Sequence, residues 1–339
     1  MKAHFEKHLL KFKIPAQTSR GSYLDKEVYL LHLHEDGNHA IGEASPLPDL
    51  SIDNMDGMAE KLTEVCTYIN EKKNIADLND VLQLKEFPSI QFAFECAFEK
   101  LKYLEPELLF PSEFTLGKKG IPINGLVWMA SSEDMLQQVE VKVNEGYTCI
   151  KLKIGALDFD EECRMLEKIR KQYSAHKITI RVDANGAFAL EDAKQKISDL
   201  RRFELHSIEQ PIKAKHYDAM QQLCAETKIP IALDEDLIGV DAITKNKLLN
   251  FINPQFIILK PTLLGGFKAC DSWIYSASKY NIGWWLTSAL ESNIGLNAIA
   301  QYGGKLNLNI PQGLGTGALY SNNFNSMTLI DQGMLCYKS

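Results

Sequence analysis

"GYTCIKLKIGA", at residues 146–156, combines a strongly apolar strand pattern with two lysines. Side chains alternate between the two faces of a β-strand, so Ile150 and Leu152 share one face. Lys151 and Lys153 then lie side by side on the other face. A buried strand with two like charges on its front predicts a sheet whose front reaches a polar site.

Segments of this kind recur from residue 121 onward and alternate with amphipathic stretches. Their starts lie roughly 24 to 30 residues apart, which is the length of one strand plus a returning helix. Eight are present: "IPINGLVW", "YTCIKLKIG", "KITIRVDAN", "LHSIEQP", "IPIALDEDL", "QFIILKP", "IGWWLTSAL" and "LNIPQGLG". Eight strands in this rhythm favour a closed parallel barrel. An open doubly wound sheet is the alternative, but no GxGxxG turn follows the first strand.

The first hundred residues have a different pattern from the rest. "EVYLLHLHEDGNHAIGEASPLP" indicates a β-hairpin, and two helical stretches follow it. We therefore expect an α+β unit in residues 1–100, a barrel in residues 101–317, and a C-terminal tail, residues 318–339, that returns to the first unit.

Composition limits the class of protein. The 339 residues are 45% hydrophobic and 24% charged, as in globular proteins, and the net charge of −7 argues against nucleic acid as a partner. No apolar run reaches the roughly 18 residues of a membrane span, and the start lacks a signal-peptide core, so we expect a cytoplasmic protein. Seven scattered cysteines without a CxxC spacing favour neither disulfides nor zinc.

Ionisable residues stand at the ends of five consecutive predicted strands. In chain order they are Lys151 and Lys153, Asp183, Glu209, Asp234, and Lys260. Each alone is typical of a solvated loop or a turn. Together they favour a site, because the carboxyl ends of barrel strands meet at one rim. Three carboxylates without histidine or cysteine predict a hard oxygen site suited to Mg²⁺ and unsuited to zinc.

The lysines suit proton transfer. A lysine acts as a base near neutral pH only if its pKa is depressed, and burial plus a second positive charge both depress it. A Schiff-base aldolase also uses a barrel lysine, but it has no need of three carboxylates or a metal. Proton abstraction beside a carboxylate needs both, because the metal stabilises the anion that forms.

The motifs "KLK", "RVDAN", "IEQP", "LDED" and "ILKP" occur in this order at the predicted strand ends. In these motifs the chain resembles the enolase superfamily, and specifically its muconate lactonizing enzyme-like subgroup. The resemblance covers essentially the whole chain, and "IGEASPLP" is similar to a signature of the family's capping domain. It implies a modified (β/α)7β TIM-like barrel with an α+β capping domain.

The resemblance also implies roles for individual residues. The Mg²⁺ ligands would be Asp183, Glu209 and Asp234, with Mn²⁺ as a substitute metal. Lys153 would be the base, with Lys151 beside the substrate carboxylate, and Lys260 would face the opposite side of the substrate.

Neighbouring residues are implied in supporting roles. Asn185 and Gln210 would support the metal ligands. Asp236 is the alternative to Asp234 as the ligand within "LDED".

The loops after the last two strands bear on the substrate. "TSALESNIGL" and "PQGLGTGALYSNN" are most similar to those of the o-succinylbenzoate synthase family, and the second lacks the Asp-x-Asp pair of dipeptide epimerases. The implied reaction is the dehydration of a dicarboxylate in menaquinone biosynthesis. Further candidate residues that contact the substrate or support the site are Arg181, Ser288, Gly313, Ser19 and Arg20.

Other functions stay open at this point. An N-succinylamino acid racemase or a dipeptide epimerase would use Lys153 and Lys260 as bases on opposite faces. A non-catalytic binding protein on the same fold is disfavoured, because all six motif positions are filled. The expected partner is a small dicarboxylate and neither nucleic acid nor a membrane, with a homo-oligomer left open.

Overall fold

The computed structural model describes residues 1–18, 21–71, 75–105 and 107–338. Two predicted substrate-binding residues, Ser19 and Arg20, lie outside the described residues. Among the described residues, no helix has both the length and the apolar composition needed to cross a membrane.

Thirteen strands are described. They are β1 (Lys2–Thr18), β2 (Gly21–Glu35), β3 (Asn38–Ala44), β4 (Ile121–Pro122), β5 (Gly125–Val127), β6 (Cys149–Lys153), β7 (Thr179–Asp183), β8 (Ser207–Glu209), β9 (Ile231–Leu233), β10 (Phe256–Leu259), β11 (Gly283–Leu286), β12 (Thr328–Asp331) and β13 (Met334–Tyr337).

The described residues also form eleven α-helices. They are α1 (Met58–Asn70), α2 (Leu78–Val81), α3 (Pro88–Lys100), α4 (Ser132–Asn144), α5 (Phe159–Gln172), α6 (Leu190–Leu200), α7 (Tyr217–Glu226), α8 (Thr244–Ile252), α9 (Pro261–Leu264), α10 (Phe267–Ser278) and α11 (Asn293–Lys305).

The N-terminal unit is a three-stranded antiparallel sheet, in the order β1, β2, β3, covered on one face by α1 and α3. Alternating apolar residues such as Leu31 and Leu33 form that face and are fully buried. Helix α3 approaches the sheet closely at Gly42, where an added Cβ would lie 1.8 Å from the carbonyl oxygen of Ala93. This unit corresponds to the predicted capping domain.

The barrel consists of a seven-stranded parallel sheet, in the order β5 to β11, with helices α4 to α11 in the connections between its strands and after β11. The predicted apolar face of β6 is buried, because Ile150 and Leu152 are both 0% exposed in the core that the surrounding helices form. The register places Lys153 beside Asp183, and Asp183 beside Glu209. Parallel pairing therefore gathers the predicted polar residues at one rim.

The predicted eighth strand is reduced to a few residues. Gln312 forms a parallel bridge with Ile123, and Gly313 forms one with Thr287, so these two residues lie between the first and last strands. Pro311 cannot donate a backbone hydrogen bond, and the Gln312 side chain takes over ladder positions by accepting from the Leu286 amide at 2.7 Å. The sequence prediction of a full strand in "LNIPQGLG" was therefore too long.

The C-terminal tail divides between the two units. The Ser321 amide donates to the Lys11 carbonyl at 2.9 Å, and the Lys13 amide donates to the Leu319 carbonyl at 2.8 Å, so the start of the tail lies on β1. The hairpin of β12 and β13 instead pairs with β4, at the entry to the barrel. The predicted domain boundaries at residues 100 and 317 stay a prediction.

Candidate active site

Three buried carboxylates and three lysines meet at the carboxyl ends of the barrel strands. Asp183 is 0% exposed, and its Oδ2 accepts hydrogen bonds from Lys151 at 2.8 Å and from Lys153 at 2.6 Å. Lys151 also donates to both carboxylate oxygens of Glu209 at 2.7 Å. Two lysines and two carboxylates from three adjacent strands thus form one continuous ionic cluster.

The third carboxylate lies beside the third lysine. Asp234 follows β9 directly, Lys260 follows β10 directly, and the Lys260 amine donates to Asp234 Oδ2. Asp236 instead accepts from the Gln210 side chain at 2.8 Å and from the Lys215 amide at 2.7 Å. Of the two aspartates, the structure therefore places only Asp234 against a rim lysine.

Two amide side chains hold the loops that carry these carboxylates. Gln210 Oε1 accepts from the Asp234 amide at 3.1 Å, while its Nε2 donates to Asp236. Asn185 Oδ1 accepts from Lys153 at 2.8 Å, and the Asn185 side chain donates to Glu235 at 3.1 Å. The backbone at both amide residues is left-handed, with φ of 45° at Asn185 and 39° at Gln210. Each turn lets the chain leave the barrel directly after its functional carboxylate.

The two lysines of β6 differ in their tendency to carry charge. Burial lowers the pKa of Lys153; the Asp183 carboxylate opposes this effect, and the Lys151 charge adds to it. Burial would also lower the pKa of Lys151, but Asp183 and Glu209 outweigh it and raise that pKa above its usual value. Lys153 therefore gives up its proton more readily than Lys151 does.

The carboxylates also differ. Burial would raise the pKa of Asp183, but Lys151 and Lys153 outweigh it and hold that pKa well below its usual range. Burial and repulsion from Asp183 raise the pKa of Glu209 to about 8, against the lowering effect of Lys151. Asp183 therefore ionises more readily than Glu209.

Comparison with known proteins identifies the family. Residues 134–319 match the family described as "Enolase C-terminal domain-like", and residues 6–101 match "MenC, N-terminal domain". The o-succinylbenzoate synthase of Desulfotalea psychrophila is 42% identical over 99% of this chain and 98% of its own length. The chain belongs to the o-succinylbenzoate synthase family of the enolase superfamily. The predicted resemblance is confirmed.

Solved structures agree with the predicted fold. The crystal structure of MenC from Desulfotalea psychrophila matches with a TM-score of 0.91 at 39% identity over 99% of both chains. The o-succinylbenzoate synthase of Thermosynechococcus elongatus, solved with Mg in its active site, matches with a TM-score of 0.76 at 21% identity over 92% of both chains. The predicted barrel with a capping domain is confirmed.

In this member of the o-succinylbenzoate synthase family, a cavity lies above the lysines. Predicted residues that line it are Lys151, Lys153, Asn185, Lys260, Ser288 and Gly313. The sequence reasoning missed, or left without an individual role, several others: Tyr23, Leu47, Leu50, Asn124, Trp128 and Thr287. Thr287 directly follows β11 and fits the strand-end rule, whereas Asn124 directly precedes β5 and had no such signal.

Two of these wall residues each have a buried polar atom. Asn124 Oδ1 and Thr287 Oγ1 are buried and have no hydrogen-bond partner within the described part of the chain. Gly313 allows the close approach of the Thr287 side chain, since an added Cβ would lie 2.6 Å from Thr287 Oγ1.

Arg181, predicted to contact the substrate or to support the site, lies one layer below the rim. It is 3% exposed, it donates to the Pro311 carbonyl at 2.8 Å, and its guanidinium stacks 3.9 Å from the Trp285 ring centroid. Alternation explains this position, because Arg181 stands two positions before Asp183 on β7 and so shares its face. Arg181 fills the barrel interior and does not line the cavity described above.

The donor set suits a hard divalent cation. Three carboxylates at adjacent strand ends offer only oxygen ligands, which Mg²⁺ prefers. Within residues 1–18, 21–71, 75–105 and 107–338, no three acidic, histidine or cysteine side chains already surround one point in the geometry of a metal site. The lysine amines lie against these carboxylates instead, and they supply the positive charge at the rim.

The ion pairs of Lys151 predict a large effect on stability. We expect Lys151→Met to lower the free energy of unfolding of the metal-free protein by about 3–5 kcal/mol, because it leaves Asp183 and Glu209 buried with less compensating charge. Urea denaturation measures this change. Lys194→Met is the control, since the exposed Lys194–Glu226 pair predicts a change of under about 1 kcal/mol. Equal stability of Lys151→Met and the unmodified protein would contradict the charge compensation described above.

Proposed function

We propose that this chain catalyses the Mg²⁺-dependent syn-dehydration of 2-succinyl-6-hydroxy-2,4-cyclohexadiene-1-carboxylate to 2-succinylbenzoate, a step of menaquinone biosynthesis. The observation that carries the proposal is the cluster of Lys153 and Lys260 with three carboxylates at one rim, in a chain 42% identical to an o-succinylbenzoate synthase over its full length. The reaction removes one proton and one hydroxide and leaves an aromatic ring.

Asp183, Glu209 and Asp234 would hold the metal ion. Their oxygen donors suit Mg²⁺, and Mn²⁺ is the expected substitute because it prefers the same ligands. When bound, the ion would supply positive charge to the substrate carboxylate as that group gains electron density. Lys151, at 2.7 Å from Glu209, would then add a fixed charge beside the same carboxylate.

Lys153 performs the proton transfers in this proposal. Its neutral amine takes the proton from the carbon that bears the ring carboxylate. The resulting ammonium then gives a proton to the departing hydroxyl on the same face, and water forms. The lowered pKa of Lys153, caused by burial and by Lys151, supports the first of these steps.

Lys260 stays charged on the opposite face of the substrate. Burial would lower its pKa, but Asp234 and Glu209 outweigh burial and raise it. A charged ammonium group there would stabilise the anion that proton removal creates and would attract the forming aromatic ring. A racemase needs Lys260 to take a proton in one direction of the reaction and to give one in the other, and the raised pKa suits only the second role.

The loop after β11 and the short eighth segment of the barrel at Gln312 and Gly313 also bear on which substrate the cavity accepts. Ser288, Thr287 and Thr316 line the cavity there, and none of them carries a charge. A dipeptide substrate would present an ammonium group that needs a carboxylate in this region. An uncharged wall suits a dicarboxylate without an ammonium group.

The decisive experiment is to offer the purified protein the cyclohexadiene substrate with Mg²⁺ and to follow the ultraviolet absorbance of the aromatic product. We expect turnover on the order of 1–1,000 s⁻¹, the ordinary range for enzymes. Proton exchange at the α-carbon of N-succinylamino acids or dipeptides, measured by NMR in deuterium oxide, is the competing assay. Exchange there without dehydration would contradict the proposal and favour the racemase or epimerase.

Lys153→Ala should remove most of the activity. We expect kcat to fall by about 100-fold to 10,000-fold or more, because the base that takes and returns the proton is lost. The control is Lys142→Ala, which removes a partly exposed lysine of α4 that pairs with Glu145 and should leave kcat unchanged. Near-normal turnover by Lys153→Ala would exclude Lys153 from proton transfer.

Metal removal should abolish turnover reversibly. After chelation and dialysis, Mg²⁺ and Mn²⁺ should restore activity while Zn²⁺ should not, because the proposed ligands are oxygens only. Calorimetric titration of Mg²⁺ into Asp234→Asn and Asp236→Asn separates the two aspartates, and only the first variant should bind much more weakly. Full activity after chelation would contradict the proposed metal dependence.

A further inference from the structure

A group of buried charges lies where the capping sheet meets the barrel, apart from the rim. Lys26 on β2 and Glu43 on β3 come from the capping sheet, and Glu291 comes from the loop after β11. Lys26 is 2% exposed, and both glutamates are 0% exposed. None of these residues has a part in the proposed chemistry, so their burial needs another explanation.

Lys26 binds the backbone of the loop after β11. Its amine donates to the Ala289 carbonyl at 2.7 Å and to the Leu290 carbonyl at 3.0 Å. Burying an ammonium group against neutral carbonyls is costly compared with an apolar side chain of the same length. Burial accordingly lowers the pKa of Lys26 to about 8, while Glu291 and Glu43 act to raise it. Stability alone does not account for a lysine at this position.

The loop that Lys26 binds has an unfavourable backbone conformation. The φ angle of Leu290 is 62°, in the left-handed region that a bulky side chain rarely adopts. Its carbonyl oxygen accepts a second hydrogen bond from the Tyr320 hydroxyl at 2.7 Å. Two donors from outside the loop therefore hold the carbonyl of its strained residue.

The glutamates fix the rest of the same loop. Glu291 accepts from the Ala289 amide at 2.8 Å and from the Ser288 hydroxyl at 2.6 Å. Glu43 accepts from the Ser292 amide at 2.8 Å, at the N-terminus of α11. The two glutamates therefore accept hydrogen bonds from both ends of the segment 288–292.

This loop forms part of the substrate cavity. Ser288, Ala289 and Leu290 line the cavity that also contains Lys153 and Lys260. Ala289 and Leu290 pack with Leu47 of the capping domain and so make an apolar wall. The position of that wall relative to the reactive lysines depends on the conformation that Lys26 holds.

We propose that Lys26 is a positioning residue for substrate binding: through the Ala289 and Leu290 carbonyls it sets the wall that contacts the part of the substrate that does not react. This proposal deepens the dehydratase function proposed above and rests on it. Lys26 itself does not reach the substrate cavity. Its effect should therefore fall on substrate affinity and much less on the chemical step.

Steady-state kinetics of Lys26→Met with the cyclohexadiene substrate test the proposal. We expect KM to rise about 10-fold with kcat within about threefold of the unmodified protein, because interactions shared by ground state and transition state are lost. Lys100→Met is the matched control, since Lys100 is a capping-domain lysine of equal burial that pairs with Glu107 and does not contact the loop. Its KM and kcat should not change.

The outcomes separate the two proposals. If the unmodified protein does not dehydrate the substrate, the proposed function is wrong and the role of Lys26 falls with it. If the unmodified protein is active and folded Lys26→Met keeps its KM, Lys26 has no positioning role. A lower thermal midpoint with an unchanged KM leads to the same conclusion, because it shows a purely structural effect.

If circular dichroism shows that Lys26→Met does not fold, Tyr320→Phe tests the proposal instead. This change removes only the second donor to the Leu290 carbonyl and keeps the ring in place. We expect KM to rise about threefold with kcat unchanged. An unchanged KM for Tyr320→Phe would overturn the proposal that the held carbonyl sets the wall.

Discussion

Charge compensation at the carboxyl ends of the barrel strands is the constraint on which the rest of the structure depends. Asp183 is fully buried, and one of its oxygens accepts hydrogen bonds from both Lys151 and Lys153. An ionised carboxylate without such partners is very costly inside a protein. Parallel pairing supplies the partners, because Lys153 stands beside Asp183 in the register of β6 and β7. A slip of one residue would turn both lysines toward the helices and leave the carboxylate alone. The ionic cluster and the strand register therefore stabilise each other.

Much of this arrangement could be predicted because it depends on short local segments. Alternation in β6 gives the faces of Ile150 and Lys151 directly, and the strand-to-strand rhythm gives the barrel. Parallel strands then bring residues that are far apart in sequence to one rim without any detailed knowledge of packing. The positions of Lys153, Asp183 and Glu209 follow from these rules alone. The choice between Asp234 and Asp236 does not, since it depends on how the Gln210 side chain orders the loop.

The features that sequence reasoning missed depend on contacts between distant segments. The eighth strand is short, and the Gln312 side chain accepts the Leu286 amide hydrogen bond in place of a backbone carbonyl. The pattern of apolar residues in the sequence gives no sign of this exchange. Arg181 is a charged residue on a strand that leads to the rim, which suggested a contact with substrate. Its contacts with Trp285 and Pro311 instead hold it deeper in the barrel. The left-handed backbone at Leu290 likewise has no local signal, because the carbonyl is held from the capping sheet and from the tail. Such positions are determined by the assembled fold.

The capping domain and the active site are built on the same barrel helices. Glu43 accepts from the Ser292 amide at 2.8 Å at the start of α11, and Glu95 accepts from the Phe267 amide at 2.6 Å at the start of α10. Both are capping-domain carboxylates at helix N-termini, where negative charge is favourable. Gly266 is required beside Glu95, because an added Cβ would lie 2.4 Å from its Oε2. Helix α10 lies in the connection that begins with Lys260 after β10, and α11 follows the loop that forms the cavity wall. Docking of the capping domain is thus fixed at the two connections that shape the site.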